Sequence, residues 1–322
     1  MFDSVIRIDR SNVITTKFAL FIIIRILALF NKSKTLLDLE RFFKVNRLKI
    51  PKIHAIPNSA TLELLYVATM KDFEILALTI PTTLDSMSNF RISRVSIIVP
   101  DEQVETLRSS IPKLPVEIDL ILESSLISDV QAQELKEHFD NRYGWVLQQV
   151  LKILFVSQSD SDGVLVVDAD TALLSQRNWL DLNGKQVLTP TWEFHPPYYK
   201  FLEDHNIIEG IPGSTFVSHH MIFQPHVMNE IFVFLGWSTN LDIIKSLTSL
   251  SLEQENSPFS IDYELYAQYL YRFYPEKVSL EKWGNLESLR KLKDGSVEDF
   301  VRRVIINSQG KYASVSFHSY LA

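Results

Sequence analysis

Two aspartates one residue apart, Asp168 and Asp170, end the apolar run of "VLVVDADTALL" (Val164 to Leu174). Carboxylates at the end of a buried segment are costly unless something pairs with them. A hard divalent cation is one such partner. Mg²⁺ and Mn²⁺ take oxygen ligands, and magnesium is commonly held by one or two carboxylates together with substrate phosphates. A cation so placed supports a diphosphate as it leaves. The plainer alternative has Asp168 capping a loop and Asp170 facing water. The apolar strand directly before the motif favours the chemical reading.

Several elements must position that pair. Pro51, Pro57, Asn58 and Ser59 mark a break after an N-terminal leader. Beyond it, "LELLYVAT" (Leu62 to Thr69), "RVSIIVP" (Arg94 to Pro100), "VEIDLILE" (Val116 to Glu123) and "VLVVDAD" read as buried strands. "FEILALTIPTTL" and "DEQVETLRSSI" read as helices between the first three, the latter with acidic residues in its first turn. One long helical region, "QAQELKEHFDNRYGWVLQQVLKILFVSQ", precedes the fourth strand, with Val146, Leu147, Val150, Leu151 and Leu154 at helical spacing. The alternation predicts an α/β fold, a mostly parallel sheet flanked by helices. Ligands in such sheets sit at the carboxyl ends of strands. Asp168 and Asp170 lie at such an end, and so do Lys71 and Asp72. Further on, "KQVLTPTW" and "TFVSHHMIFQP" suggest strands and "SIDYELYAQYLYRFY" a helix. We expect an N-terminal helical extension over residues 1–58 and one domain over 59–322.

Four blocks in order, "YGWVLQQVLKI", "VLVVDADTALL", "SHHMIF" and "IDYELYAQYL", carry a resemblance. "VLVVDADTALL" resembles the D-x-D segment of GT-A glycosyltransferases, which use nucleotide-sugar donors on a Rossmann-like fold. The set resembles a bacterial glycosyltransferase family tied to capsule and lipopolysaccharide synthesis, over roughly residues 62 to 320. The resemblance implies a divalent metal, Mn²⁺ or Mg²⁺, and a nucleoside-diphosphate-sugar donor. Asp170 is then the main metal ligand, and Asp168 contacts the ribose or reaches the metal through water. Thr69, Lys71 and Asp72 lie by the nucleotide, and His318 in "VSFHSY" matches a late histidine ligand.

Other residues fall into place beside that frame. Gln149 and Lys152 are three apart and share a helix face. Lysine is a common point-charge partner for phosphate, so both are candidates for donor binding; a solvated helix face is the alternative. Trp145 suits packing or an acceptor platform better than catalysis. His219 and His220 are consecutive in an apparent strand and face opposite ways; we expect His220 in the cleft. Trp192 and His195, in the aromatic, proline-stiffened "WEFHPPYY", are expected on an acceptor-side loop, a packed surface loop being the alternative. Asp262 and Glu264 are candidates for the base that takes the acceptor's proton in an inverting transfer. If configuration is retained, neither need be a base.

Composition sets the outer bounds. A formal charge of −7 with mixed signs argues against nucleic acid as partner. The absence of cysteine removes disulfides, zinc–thiolate sites and thiol nucleophiles. "KFALFIIIRILALF" (Lys17 to Phe30) is broken by Arg25 and falls short of the roughly 20 apolar residues of a spanning helix. No small-residue cleavage pattern follows it. It reads as a helix packed on the domain or as an interfacial helix, with Lys32, Lys34 and Arg41 near anionic lipid. The expected setting is the cytoplasm, with peripheral contact at the inner face of the membrane. The expected activity is metal-dependent transfer of a sugar to a hydroxyl of a surface polysaccharide or lipopolysaccharide, with a glycan or lipid-linked glycan as acceptor. A nucleotidyltransferase or related nucleotide-sugar enzyme would want a glycine-rich basic loop after the first strand, and "ATMKDFEIL" has no glycine. A non-catalytic glycan-binding protein is the third reading, and the intact "DAD" weighs against it.

Overall fold

A computed structural model describes residues 57–111, 114–191, 197–209, 214–249, 259–289 and 295–318. Nearly all of the 1–58 extension lies outside them, and the expected membrane contact with it; so do Trp192 and His195. The apolar runs form β1 (Thr61–Val67), β2 (Arg91–Val99), β3 (Ile118–Leu122) and β4 (Gly163–Val167). Between them run α1 (Phe73–Ser86), α2 (Val104–Ser110), α3 (Asp129–Phe139) and α4 (Tyr143–Gln158). The long helical region of the sequence is thus two helices. They part at Asp140, whose φ of 45° no regular helix accommodates.

The chain continues through β5 (Thr171–Leu173), β6 (Gln186–Leu188), α5 (Pro197–Asp204) and β7 (His220–Phe223). Then come α6 (Pro225–Leu235), α7 (Asn240–Thr248), α8 (Tyr263–Phe273), β8 (Val278–Leu280), β9 (Asn285–Leu289), α9 (Val297–Ser308) and β10 (Ser314–His318). The main sheet has the order β3-β2-β1-β4-β7. β1 to β4 pair in parallel and β7 runs antiparallel to β4. The fold is therefore mixed α/β, with a mainly parallel central sheet flanked by helices.

Side chains alternate across that sheet, as the two-residue period of a strand requires. Leu65, Val164 and Val166 pack with Val146, Val150 and Leu154 of α4 on one face. Leu64, Tyr66, Leu165 and Val167 pack with Leu76 and Ile80 of α1 on the other. Burial on both faces is why these strands read as nearly continuous apolar runs. A small additional sheet, β5-β10-β9, has no clear signature in the sequence. It packs through Ala172, Val315 and Phe317 on Ile75 of α1 and on Val301 and Ile305 of α9. Among the described residues no helix is long and apolar enough to cross a membrane.

The strand order has a functional consequence. The chain lays β2 and β3 to one side of β1, then returns to place β4 on the other. The carboxyl ends of β1 and β4 are therefore a topological switch point, where open α/β sheets leave a crevice for ligands.

Candidate active site

A pocket of about 380 Å³ opens at that switch point, between the end of β1 and the turn after β4. Lys71, Asp72, Gln149, Lys152, Asp168, Asp170, Asp262 and His318 all line it. Residues spread over almost the whole domain thus meet in one place. A larger hollow of about 580 Å³ lies at the other end of the strands, by Asn58 and Asp162. Two of its carboxylates accept from backbone: Asp162 from the Thr61 amide at 2.7 Å, and Asp181 from the Asn183 amide at 2.8 Å.

Backbone bonds shape the acidic turn. Asp168 N donates to His219 O, Thr171 N to Asp168 O and Phe317 N to Asp170 O, each at 2.9 Å. Antiparallel pairing of Ser316 with Thr171 carries β10 past the turn. That register places His318 Nδ1 3.7 Å from Asp170 Oδ2.

The Asp168 carboxylate meets three side chains in the pocket. Its Oδ1 accepts from Lys152 Nζ at 3.0 Å and from the Tyr263 hydroxyl at 2.9 Å. Its Oδ2 lies 3.1 Å from His219 Nδ1. Burial opposes its charge, but the Lys152 ammonium and the His219 contact outweigh burial and hold the carboxyl well below the usual carboxylate range. Lys152 also reaches Asp262 Oδ2 at 3.0 Å, and its Nζ lies 4.6 Å from the centre of the Tyr263 ring. Burial would lower its pKa; the charges of Asp168 and Asp262 raise it instead. Asp262 Oδ1 accepts from Tyr263 N at 2.8 Å and so caps α8.

These contacts correct several expectations. Lys152 is buried and spends its charge on two carboxylates, so its first partner is not a phosphate. Gln149 uses both ends of its amide on the backbone, accepting from Ile261 N at 2.8 Å and donating to Trp145 O at 3.1 Å. Both ends of the amide are thus held by backbone at the pocket wall, beside Asp262. Thr69 does not line the pocket; its hydroxyl donates to Asp72 Oδ2 at 3.2 Å, and the pair closes the turn after β1.

Glu264 is fully buried and absent from the pocket wall. Its Oε1 accepts from Tyr199 Oη at 3.0 Å and Phe216 N at 2.6 Å, and its Oε2 from Gln268 Nε2 at 3.0 Å. Burial raises its pKa, and those donors offset part of the effect. It ties α8 to α5 and to the segment before β7, away from the pocket where a base would act.

The histidine pair is the reverse of the expectation. His219 lines the pocket, while His220 is buried against Trp179 and Trp283, with ring centroids 5.5 and 4.8 Å away. Burial pushes the His220 imidazole well below its ordinary pKa, and the positive charges of Arg177 and His219 add to this. Burial also disfavours charge on His219, but its Asp168 bond and the nearby Asp168 and Asp170 charges raise its pKa overall. His219 has a φ of 61°, uncommon for a residue with a β-carbon. Such backbone persists where surroundings over-determine it. Here its carbonyl and its ring both engage Asp168. Tyr263 is a site residue that no sequence pattern marks; its adjacency to the acidic helix cap Asp262 is the one signal available.

The donor set was tested for a divalent cation. Among the described residues no group of three or more histidine, aspartate or glutamate side chains forms a closed metal site. Asp168 has both oxygens engaged, so it is a poor direct ligand. Asp170 and His318 supply an oxygen and a nitrogen on one wall of the pocket. That is the chemistry of a cation completed by a ligand's phosphates, not of one held by protein alone. The residues fit in that limited sense.

The structure thus defines a mixed α/β domain with a pocket lined by acids and histidines at the switch point of its sheet. Residues 51–204 match a family described as a family of unknown function (DUF6492). No curated protein matches. Mouse xyloside xylosyltransferase 1, in its apo form, superposes with a TM-score of 0.45 at 12% identity, covering 81% of this chain and 99% of that one. The galactosyltransferase LgtC, in complex with donor and acceptor sugar analogs, superposes with a TM-score of 0.43 at 10% identity, covering 79% and 86%. Likeness at this level carries no substrate or residue role across to this chain.

Proposed function

We propose that the switch-point pocket binds a nucleoside-diphosphate sugar and that the protein transfers its sugar to a hydroxyl of a glycan or lipid-linked glycan. A surface polysaccharide or lipopolysaccharide is the acceptor class this reading favours. The observation that carries it is the Asp168–Asp170 turn at the carboxyl ends of β1 and β4, with His318 brought beside Asp170 by the β5–β10 pairing. The wall around it is polar enough for phosphates, and its volume falls in the range of about 300–1,000 Å³ usual for small-molecule sites.

Asp170 and His318 would hold Mg²⁺ or Mn²⁺, which when bound offsets negative charge on a diphosphate. Asp168 keeps its charge through Lys152 and orients the turn. His219 and Tyr263 hold Asp168 from two sides. Of the two carboxylates considered as bases, only Asp262 reaches the pocket, and its Oδ2 is ion-paired with Lys152. A transfer with retained configuration, which needs no such base, agrees best with that pairing. The nucleotidyltransferase alternative is weakened further, because the turn after β1 is a short helical turn closed by Thr69 and Asp72 rather than an open phosphate loop.

Thermal unfolding with UDP or GDP, each with and without Mn²⁺, tests the binding half of the proposal. A raised Tm only when nucleotide and metal are both present is expected. No shift with any nucleotide–metal pair would refute it.

A further inference from the structure

The pocket has two chemically distinct ends. Lys71 and Asp72 open α1, which packs on one face of the sheet. Trp145 and Gln148 belong to α4, which packs on the opposite face. The Asp168–Asp170 turn lies between them. Trp145 meets Tyr198 of α5 there, with ring centroids 5.7 Å apart and planes 20° from parallel. Both rings are half-buried and both line the pocket. Phe259 supports Trp145 from the core, 6.1 Å away between centroids. Gln148 is three residues from Trp145, on the same helix face, and lines the pocket as well.

A stacked aromatic pair on a pocket wall leaves apolar surface facing water, at a cost proportional to its area. A ligand that covers it must offer a flat apolar face. It must also offer polar groups at its rim, where the Gln148 amide stands. A pyranose ring has both, with C–H bonds on one face and hydroxyls around the edge. A nucleobase has a flat face too, but phosphates gathered at Asp170 and His318 leave two directions for the rest of a donor. The hydrogen-bonding exit of β1, with Lys71 and Asp72, suits a nucleoside's hydroxyls and base edge, and the aromatic end is then left for the acceptor.

We propose that Trp145, Tyr198 and Gln148 form an acceptor subsite that binds a pyranose ring of the glycan receiving the sugar. This rests on the transferase reading above. The part of the ring pair that borders the pocket lies against the sugar's C–H face and the amide bonds its hydroxyls, which selects a carbohydrate acceptor over water.

The test compares two rates in the full-length protein: hydrolysis of the donor by water, and transfer to a panel of methyl glucoside, galactoside, xyloside and lactose. Trp145→Ala, Tyr198→Ala and Trp145→Phe are measured beside the wild type, with Tm as a folding control. For the best acceptor, each alanine variant should lose about tenfold or more in kcat/KM, through KM, the scale of one lost aromatic stack. Donor hydrolysis should stay within about twofold, and Trp145→Phe should recover most of the transfer. Tyr198→Ala decides the matter if Trp145→Ala fails to fold. Equal loss of hydrolysis and transfer would place the rings in donor binding or in the fold and overturn the proposal. An unchanged acceptor KM, or a wild type that hydrolyses donor but uses none of the panel, would overturn it while leaving the donor reading intact. A wild type that consumes no nucleotide sugar would remove the transferase reading itself.

Discussion

Lys152 Nζ lies 3.0 Å from Asp168 Oδ1, joining the middle of α4 to the turn that ends β4. The same ammonium holds Asp262 at the start of α8, so one buried cation fixes two of the pocket's carboxylates. The arrangement leaves Asp170, on the far side of the turn, as the carboxylate placed beside His318.

Removing that cation should cost more than one ordinary contact. Lys152→Met leaves two carboxylates without their partner in a site only partly open to water. Urea unfolding should show a loss of about 3–5 kcal/mol, the range for breaking a buried pair. In an Asp262→Asn background the same change should cost less, because the two share one interaction. Additive losses would show that Lys152 and Asp262 are not energetically coupled.

The two histidines should separate by role and by pH. His220→Phe keeps a ring against Trp179 and Trp283 and removes two nitrogens that have no hydrogen-bond partner among the described residues. It should leave activity intact and stability equal or higher. His219→Phe loses the Asp168 contact and should abolish activity. The native His220 pKa lies well below its unfolded value near 6.5, so the unfolded chain binds the extra proton. Stability on its account therefore falls as pH drops below about 6.5, by up to about 1.4 kcal/mol per unit. His219, with a raised pKa, acts in the opposite sense. Wild type and His220→Phe should therefore converge above pH 7 and diverge below 6, with the variant the more stable; identical acid profiles would contradict the burial of His220 as a neutral ring.

Glu264→Gln tests whether that residue has any part in chemistry. Its oxygens serve Tyr199, Phe216 and Gln268 within the core. The amide keeps the acceptor for Tyr199 and Phe216 but turns a donor toward Gln268. A modest drop in Tm with turnover within a few-fold of wild type is expected. A thousandfold loss of turnover at unchanged Tm would return Glu264 to the active site.

Much of the fold and the site is readable in the residues, and the failures share a cause. β1 and β4 announce themselves because strands buried on both faces are nearly continuous apolar runs, and β2 does so through its buried second half. The acidic turn is legible because it ends one of them. Strand alternation does not apply to the histidine pair: β7 begins at His220, opposite Val167, and His219 lies just before it with a φ of 61°, which turns its ring to Asp168. Likewise the spacing of Asp262 and Glu264 shows that they diverge, whereas the docking of α8 decides which of the two buried carboxylates lines the pocket. Lys152 meets partners 16 and 110 residues away, and no local pattern encodes that. β8, β9 and β10 are short, half-polar segments whose pairing is set by the elements around them.

The most direct test is sugar release from a panel of nucleotide sugars, measured with Mn²⁺ for the wild type and for Asp170→Asn at matched Tm. The account predicts that the wild type consumes one donor class and that Asp170→Asn, equally stable, consumes none. A variant as active as the wild type would contradict the role given to Asp170, and a wild type inert toward every donor would contradict the function itself.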